Sequence, residues 1–222
     1  MILSMKRYAS ALLLAAALAG LVLNGAALAQ APSKIRVGYA ISLNGPFAPG
    51  ATLTTLPNYK LWVHDVNARG GIFVKEFNKR IPLEVIEYDD GSNPENAIRL
   101  TEKLMTEDKV HFVLSPWGTG MNLAVAPTYK KHGYPHLAAT AAANGQADMV
   151  KRFDTLFFYL GAPADGVESL VSLLKKLKAD GKINNKVVML SVGDQFGAEF
   201  RSAAAPGFKA AGFDVVLEKS YP

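Results

Sequence analysis

Short apolar runs alternate with longer segments of helical periodicity along the chain from residue 35 onward. Several of the short runs are apolar at nearly every position, which is typical of parallel strands covered on both faces. Strands are predicted at residues 35–41, 82–88, 110–114, 136–139, 155–160, 186–192 and 214–218, and helices at residues 53–68, 94–107, 121–131, 165–179 and 198–211. This alternation predicts an α/β fold with doubly wound parallel sheets and right-handed crossovers.

Capping residues mark several of the predicted boundaries. Asn93 precedes Pro94, which is the order expected for an N-cap followed by a proline in the first helical turn. The segment 139–147 (ATAAANGQA) follows a predicted strand and contains only small and polar residues. We therefore expect a loop there that runs close beside a ligand or another backbone. A glycine follows three of the predicted helices, where a C-terminal cap belongs: Gly133, Gly181 and Gly212.

The first 29 residues have the parts of an export signal. Lys6 and Arg7 supply positive charge, residues 11–23 form an apolar run, and Ala27-Leu28-Ala29 is a small-x-small cleavage pattern. The apolar run is too short to span a bilayer comfortably. We therefore predict a signal peptide at residues 1–29 that is cleaved after Ala29, a soluble periplasmic product and no stable membrane anchor. A leader retained as a membrane anchor is the alternative.

Composition narrows the classes of function. The chain has no cysteine, which excludes disulfides, thiol nucleophiles, thiolate metal sites and a lipid-modified N-terminal cysteine. Hydrophobic residues make up 50% of the chain, enough for a substantial core. The formal net charge is +5, but the densest basic patch, residues 175–178, lies on the polar face of a predicted amphipathic helix. No nucleic-acid partner is therefore expected.

The motifs of common enzymes and metal sites are missing or incomplete. Asp89-Asp90 lacks the alternating ligands of a calcium loop, so that a strand end followed by a turn is the preferred interpretation. His132 and His136 are four residues apart, but Gly133 and Pro135 lie between them and interrupt a helix. The two histidines therefore do not share a helical face that could bind a metal ion. Gly118-Thr119-Gly120 lacks the third glycine of a dinucleotide loop. We therefore predict that the protein is not an enzyme and that it has no cofactor and no metal site.

Several short motifs, taken in order, resemble one known family. They are Gly45-Pro46, residues 66–72 (VNARGGI), Asp89-Asp90, residues 133–135 (GYP), residues 162–165 (APAD), residues 195–197 (QFG) and residues 220–222 (SYP). Over residues 34–222 the chain resembles the periplasmic substrate-binding proteins of branched-chain amino-acid ABC transporters, the leucine-binding type. No single motif is decisive, but their order and spacing are those of the family.

The resemblance implies a type I periplasmic binding protein fold. In that fold, two α/β lobes with doubly wound parallel sheets are joined by three crossings of the chain and close around a ligand. Residues 34–156 are expected to form the first lobe and residues 157–222 the start of the second. Residues 186–218 form one new strand–helix–strand unit shortly before the sequence stops, so we expect a truncated second lobe. A short but complete domain is the alternative.

The turn after the predicted strand 110–114 is the leading candidate site. There the sequence Ser115-Pro116-Trp117-Gly118-Thr119 runs into a helix, so that free backbone N–H groups and a hydroxyl can bind a carboxylate. In the family that the chain resembles, a Ser or Thr at the position of Thr119 binds the ligand carboxylate. An ordinary N-cap role for Thr119 is the alternative.

The resemblance implies further ligand-binding residues. Thr140, with the backbone of Ala139 and Ala141, matches a second loop that binds the same carboxylate, although Ala142 replaces a usual second hydroxyl residue. Asp165 matches an acid that faces a ligand ammonium group, and it can also serve as a helix N-cap. Phe196 matches an aromatic wall of the second lobe. Two loop residues, Phe47 and Trp117, are candidates for the pocket that holds the ligand side chain.

These observations predict an extracytoplasmic solute-binding protein. It would capture an amino acid of the branched-chain type, or a similar aliphatic or aromatic carboxylate, and deliver it to an ABC importer. Its expected partners are the small-molecule ligand and the transporter permease, and the protein is expected to be a monomer. The alternatives are a ligand-sensing receptor domain on the same fold and a nucleotide-using α/β enzyme, for which the loop after strand 35–41 lacks the required glycines.

Overall fold

The computed structural model describes residues 30–221, and the predicted signal peptide at residues 1–29 lies outside the described residues. The strands are β1 (Ile35–Ile41), β2 (Ile72–Val74), β3 (Lys79–Ile81), β4 (Leu83–Asp89), β5 (Phe112–Val113), β6 (His136–Ala138), β7 (Leu156–Phe158), β8 (Lys186–Val192) and β9 (Asp214–Tyr221). The helices of at least seven residues are α1 (Leu56–Ala68), α2 (Pro94–Thr106), α3 (Thr119–His132), α4 (Gln146–Arg152), α5 (Pro163–Ala179) and α6 (Gln195–Ala210).

Parallel pairing dominates the described sheets, as the sequence predicts. Strand β1 is the centre of a parallel sheet of order β4-β1-β5, with Ile35 opposite Leu83 and Ile41 opposite Asp89. Two further parallel pairs are β6-β7 and β8-β9. Only the β2-β3 hairpin is antiparallel among the described strands. This hairpin is not predicted from the sequence because each of its strands has only three residues.

The core of the first half lies between β1 and the helices that follow it. Leu104 and Met105 of α2 pack with Val125 and Tyr129 of α3 in one buried cluster. A Cβ atom at Gly38 of β1 would come within 2.5 Å of the Leu104 side chain, so glycine allows α2 to pack closely on the sheet. Burial of a side chain such as Leu104 stabilises the fold by roughly 1.5–3 kcal/mol.

Most of the predicted elements are confirmed with shifted ends. Strands β1 and β8 have the predicted bounds, Asn93 caps α2 by accepting a hydrogen bond from Asn96 N at 2.9 Å, and the three predicted C-terminal glycines have positive φ. Helices α3, α5 and α6 each begin two or three residues earlier than predicted. Their first turns carry few apolar residues, so hydrophobic periodicity gives no signal there.

The first helix departs most from its prediction. A helical turn at Ala48–Gly50 and a π-helical turn at Ala51–Thr55 precede α1, and Leu56 N donates to Ala51 O across five residues. Pro57 follows at once and has no N–H for an ordinary helical hydrogen bond to residue 53. Turns of this type are frequent at functional sites, and here the π-helical turn brings Thr54 and Thr55 to the candidate site described below. Among residues 30–221, no helix is long and apolar enough to cross a membrane.

Candidate functional site

A cavity of about 530 Å³ lies at the carboxyl ends of β6 and β8 and at the first turns of α3 and α6. Open α/β sheets place their ligands at such strand ends. Six of the nine predicted site residues line it, namely Trp117, Gly118, Thr119, Ala139, Thr140 and Phe196. The remaining lining residues were not predicted: Thr54, Thr55, Leu160, Val192, Asp194 and Tyr221.

The turn of residues 115–119, called the 115–119 turn below, is held by side chains from three directions. Tyr59 of α1 donates its hydroxyl to Ser115 O at 3.0 Å. Asn122 of α3 donates its side-chain amide to Pro116 O at 2.9 Å and to Gly118 O at 2.8 Å. Thr140 also donates to Pro116 O, at 3.2 Å. Because its carbonyl groups are held in this way, the turn presents a preorganised wall to the cavity.

Gly118 is the N-cap of α3, and its backbone explains why glycine is needed there. Its φ of 93° and ψ of 152° lie in a region that side-chain-bearing residues rarely adopt. The interpretation of Thr119 as the N-cap is therefore wrong, since Thr119 is the first residue of the helix.

Both predicted carboxylate-binding hydroxyls make hydrogen bonds within the protein. Thr119 Oγ1 accepts from Ala142 N at 3.1 Å. Thr140 Oγ1 accepts from Gly118 N at 2.9 Å and from the Asn122 amide at 3.1 Å. In this arrangement the two threonines tie the loop after β6 to the 115–119 turn.

Free backbone donors begin α3, whose first residue, Thr119, lines the cavity. Within the described part of the chain, the N–H groups of Thr119, Gly120 and Met121 have no hydrogen-bond acceptor. They form the first turn of a 14-residue helix, where unpaired N–H groups and the helix dipole favour an anion. This end of α3 can accept a carboxylate through backbone groups alone.

Aromatic rings form the apolar walls. The Trp117 indole lies against Gly50, where a Cβ atom would come within 2.2 Å of the ring, and its Nε1 donates to Thr54 Oγ1 at 3.0 Å. Phe196 of α6 also lines the cavity. Phe47 is not among the lining residues, and its ring packs behind Trp117 with centroids 6.0 Å apart.

The cavity wall also includes an acidic side chain, that of Asp194, which was not among the predicted site residues. Asp194 follows β8 and caps α6 by accepting from Gly197 N at 2.9 Å. Its position directly after a predicted strand was the available signal. Asp165 is exposed on the first turn of α5 and is not among the lining residues. The N-cap of α5 is Ala162, so the interpretation of Asp165 as an N-cap is wrong.

The loop predicted at residues 139–147 ends at Gly145, because the unpredicted helix α4 begins at Gln146. The loop runs beside another backbone, as the sequence predicts. Ala141 is buried in a cluster with Ala126 and Leu156 and does not line the cavity. Asn144 donates its side-chain amide to Glu199 O at 2.8 Å and accepts from Ala164 N at 2.9 Å. The loop thereby joins α3 and the strand β6 to both helices of the later half, α5 and α6.

Asp89 and Asp90 have a structural role at the end of β4. Asp89 accepts from Leu43 N and Gly91 N at 2.9 and 2.8 Å. Asp90 is fully buried, accepts from Ser42 Oγ at 2.6 Å, and has its pKa raised by burial. Among residues 30–221, no group of three or more His, Asp or Glu side chains is arranged to hold a metal ion.

Comparison with known proteins gives one family. The sequence model of the family described as periplasmic binding protein matches residues 34–222. Among solved structures, the chain is similar to a branched-chain amino acid transporter substrate-binding protein from Streptococcus pneumoniae in complex with isoleucine. The two share 22% identity over 85% of this chain and 49% of the other, with a TM-score of 0.67.

Two structures from Rhodopseudomonas palustris are similar to the same extent. One is an ABC-transporter solute-binding protein in complex with benzoate, at 21% identity over 85% of this chain and 49% of that chain, with a TM-score of 0.65. The other is in complex with 3,4-dihydroxybenzoic acid, at 20% identity over 86% and 48%, with a TM-score of 0.62. The chain thus spans about half the length of the solved structures it matches.

The parallel β-α-β units, the position of the cavity at the strand ends and the family match over residues 34–222 agree with one another. The chain belongs to the periplasmic binding protein family and has the type I fold of that family.

Proposed function

We propose that this protein binds a small carboxylate in the 530 Å³ cavity and delivers it to an ABC importer from the periplasm. The observation that carries the proposal is the first turn of α3, which has three unpaired N–H groups and whose first residue, Thr119, lines a cavity with aromatic walls. Neighbouring structures were solved with isoleucine, benzoate and 3,4-dihydroxybenzoic acid. Each of these ligands has a carboxylate and an apolar body.

The contributions available in the cavity suffice for useful affinity. A charge-assisted hydrogen bond contributes about 1.5–3 kcal/mol, and burial of a leucine-sized or aromatic group contributes roughly 1.5–3 kcal/mol. Micromolar binding requires about 8 kcal/mol net. Two or three hydrogen bonds to α3, together with contact of the apolar group with Trp117 and Phe196, reach that range.

The acid on the cavity wall bears on the substrate class. Asp194 would repel a second carboxylate but can accept a hydrogen bond from a ligand ammonium or hydroxyl group. For an amino-acid ligand, Asp194 is the proposed partner of the ammonium group, and Asp165, which does not line the cavity, is proposed to join it only when the lobes close around the ligand. For a hydroxylated aromatic acid, Asp194 alone would suffice. The site therefore suits a ligand that carries a hydrogen-bond donor, such as an ammonium or hydroxyl group, in addition to its carboxylate.

We further propose that residues 34–156 and 157–222 belong to two lobes that close around the ligand. The cavity has walls from both ranges, Trp117 and Thr119 from the first and Phe196 from the second. A ligand that contacts both walls favours the closed arrangement through these differential contacts.

A charge placed in the first turn of α3 tests the proposal. Gly120 has room for a side chain, since a Cβ atom would lie 3.5 Å from its nearest neighbour, Gln195. Gly120→Asp puts a carboxylate beside the free N–H groups, which favours the helix but competes with an anionic ligand. Gly120→Asn has the same shape without the charge and is the matched control.

The measurement is an NMR titration of the backbone amides of the 222-residue chain with benzoate, 4-hydroxybenzoate, leucine and isoleucine. We expect at least one of them to shift the amide signals of Thr119, Gly120 and Met121. Gly120→Asp should lower the affinity about tenfold or more relative to Gly120→Asn. Equal affinity in the two variants, or no shift with any of the four compounds, would overturn the proposal.

A further inference from the structure

A buried amide–imidazole pair lies directly behind the 115–119 turn. Asn122 of α3 and His136 of β6 are both fully buried, with 0% of their surface exposed. Asn122 Oδ1 and His136 Nε2 are 3.0 Å apart. Neither residue lines the cavity, so any effect on a ligand must pass through the groups that the pair holds.

The orientation of the Asn122 amide follows from its partners. Its Nδ2 faces Pro116 O, Gly118 O and Thr140 Oγ1 at 2.8–3.1 Å. The two carbonyl oxygens can only accept hydrogen bonds, so the NH₂ end must point at the turn. Oδ1 therefore points at His136, and since Oδ1 is an acceptor, Nε2 must carry the imidazole proton.

The imidazole is restricted on its other sides as well. Its ring stacks on Tyr129 at a centroid distance of 4.2 Å. Within residues 30–221, Nδ1 is buried and has no hydrogen-bond partner. A proton on Nδ1 instead of Nε2 would leave Asn122 Oδ1 without its donor, at a cost of about 1–3 kcal/mol for a buried polar group. One tautomer of His136 is thus selected by the geometry.

We propose that Asn122 and His136 are positioning residues for the carboxylate site. His136 orients the Asn122 amide, and the amide holds the carbonyl groups of Pro116 and Gly118. These contacts keep Trp117 against the cavity and the N–H groups of Thr119 and Gly120 directed at the ligand. The role in ligand affinity rests on the proposed function, whereas the role in holding the 115–119 turn can be measured without any ligand.

The ligand-free test uses the imidazole as a reporter. Nitrogen-15 NMR of the 222-residue chain distinguishes the two neutral tautomers, and the chain has only four histidines. We expect the Nε2–H tautomer for His136. In Asn122→Leu this selection should be lost, and the amide signals of Gly118 and Thr119 should shift. An Nδ1–H tautomer in the unsubstituted chain, or unchanged turn signals in Asn122→Leu, would overturn the positioning role.

The binding test compares variants that separate the hydrogen bond from packing. His136→Phe retains a ring on Tyr129 but offers no donor to Asn122, so it remains informative if Asn122→Leu does not fold. We expect benzoate affinity to fall about tenfold in Asn122→Leu and several-fold in His136→Phe. Thr128→Val, a buried change on the same helix away from the turn, serves as the control for general destabilisation and should bind as the unsubstituted chain does.

The outcomes distinguish the two proposals. If the unsubstituted chain binds benzoate and both variants bind it equally well, the positioning role is wrong and the proposed function stands. If the tautomer and the turn signals behave as expected but no carboxylate binds, the proposed function is wrong and the pair only supports the fold.

Discussion

At the scale of single residues, the hydroxyl groups of the candidate site make hydrogen bonds to other groups of the protein. Thr119 and Thr140 have the residue type that a carboxylate site needs, yet their hydroxyls bind Ala142 N and Gly118 N. The proposed anion-binding groups are backbone N–H groups, which every residue type except proline supplies. Ala142 stands where the resembled family usually has a hydroxyl residue. Because the proposed carboxylate contacts come from the backbone, the missing hydroxyl argues only weakly against a carboxylate site.

The burial of His136 predicts that the free energy of unfolding decreases in acid. Burial lowers the pKa of His136 from 6.5 to about 4. Between these values the unfolded chain binds a proton that the folded chain does not, so the free energy of unfolding falls as the pH falls from 6.5 toward 4. The loss is about 3 kcal/mol at most.

Urea denaturation at a series of pH values measures this loss. In His136→Gln the decline between pH 6.5 and 5 should disappear, whereas His64→Gln, at an exposed position, should retain it. The upper part of that interval is informative because the lowered carboxyl pKa values of Asp89, Glu84 and Glu102 affect stability only at lower pH. A decline of the same size in both variants would contradict the assignment to His136.

At the scale of elements, short connections decide how helices and strands meet. The π-helical turn Ala51–Thr55 turns Thr54 toward Trp117, and the 115–119 turn has contacts to α1, to α3 and to the loop after β6. The loop of residues 139–147 connects in turn to α5 and α6 through Asn144. These connections combine hydrogen bonds with buried apolar residues such as Ala141.

The hydrogen bonds of the Asn144 side chain allow a prediction of how much its connection to α5 and α6 contributes to stability. Its side chain binds Glu199 O, Ser202 Oγ and Ala164 N, at 2.8, 3.1 and 2.9 Å. Asn144→Ala should lower the free energy of unfolding by about 1–3 kcal/mol, because three hydrogen bonds are lost. Ser202→Ala removes only one of them and should have less than half that effect. Chemical denaturation of both variants is the measurement, and equal losses would show that the Asn144 side chain has no special role.

At the scale of the whole molecule, one face of the strands β5, β6 and β7 is open. Phe112, Leu137 and Phe157 are 52%, 62% and 54% exposed, and Leu137 pairs with Phe157 in register. Described helices cover the opposite face of β6 and β7, where Leu156 is buried among Ala126 and Ala138. Exposed apolar surface of this kind promotes association.

Two substitutions, one on β6 and one on β7, test which face of this strand pair is exposed. Leu137→Lys should change the free energy of unfolding by no more than about 0.5 kcal/mol and should lower both the fluorescence of a bound hydrophobic dye and self-association. Leu156→Lys places a charge in the core and should destabilise the fold by more than about 3 kcal/mol. Similar losses of stability in the two variants would contradict the exposure of this face.

The sequence was sufficient for the elements and the family for physical reasons. Hydrophobic periodicity and capping are local properties, so β1, β8, α2 and the N-cap Asn93 are readable from a few adjacent residues. Six of the predicted site residues also line the cavity, because open α/β folds place ligands at the carboxyl ends of their parallel strands and the strands could be located from hydrophobic periodicity. Thr54 was missed since its role depends on Trp117, 63 positions away, whereas the position of Asp194 after β8 was a local signal that was not used.

The amino-acid sequence by itself thus determined an α/β chain of the periplasmic binding protein family and predicted a candidate site at the turn before α3. Only the tertiary structure decided which groups of that turn are free. The hydrogen bonds Ala142 N–Thr119, Asn122–Thr140 and His136–Asn122 join residues 23, 18 and 14 positions apart, and no local pattern specifies how such donors and acceptors pair. The unpaired N–H groups of α3 are what remains once those pairs have formed.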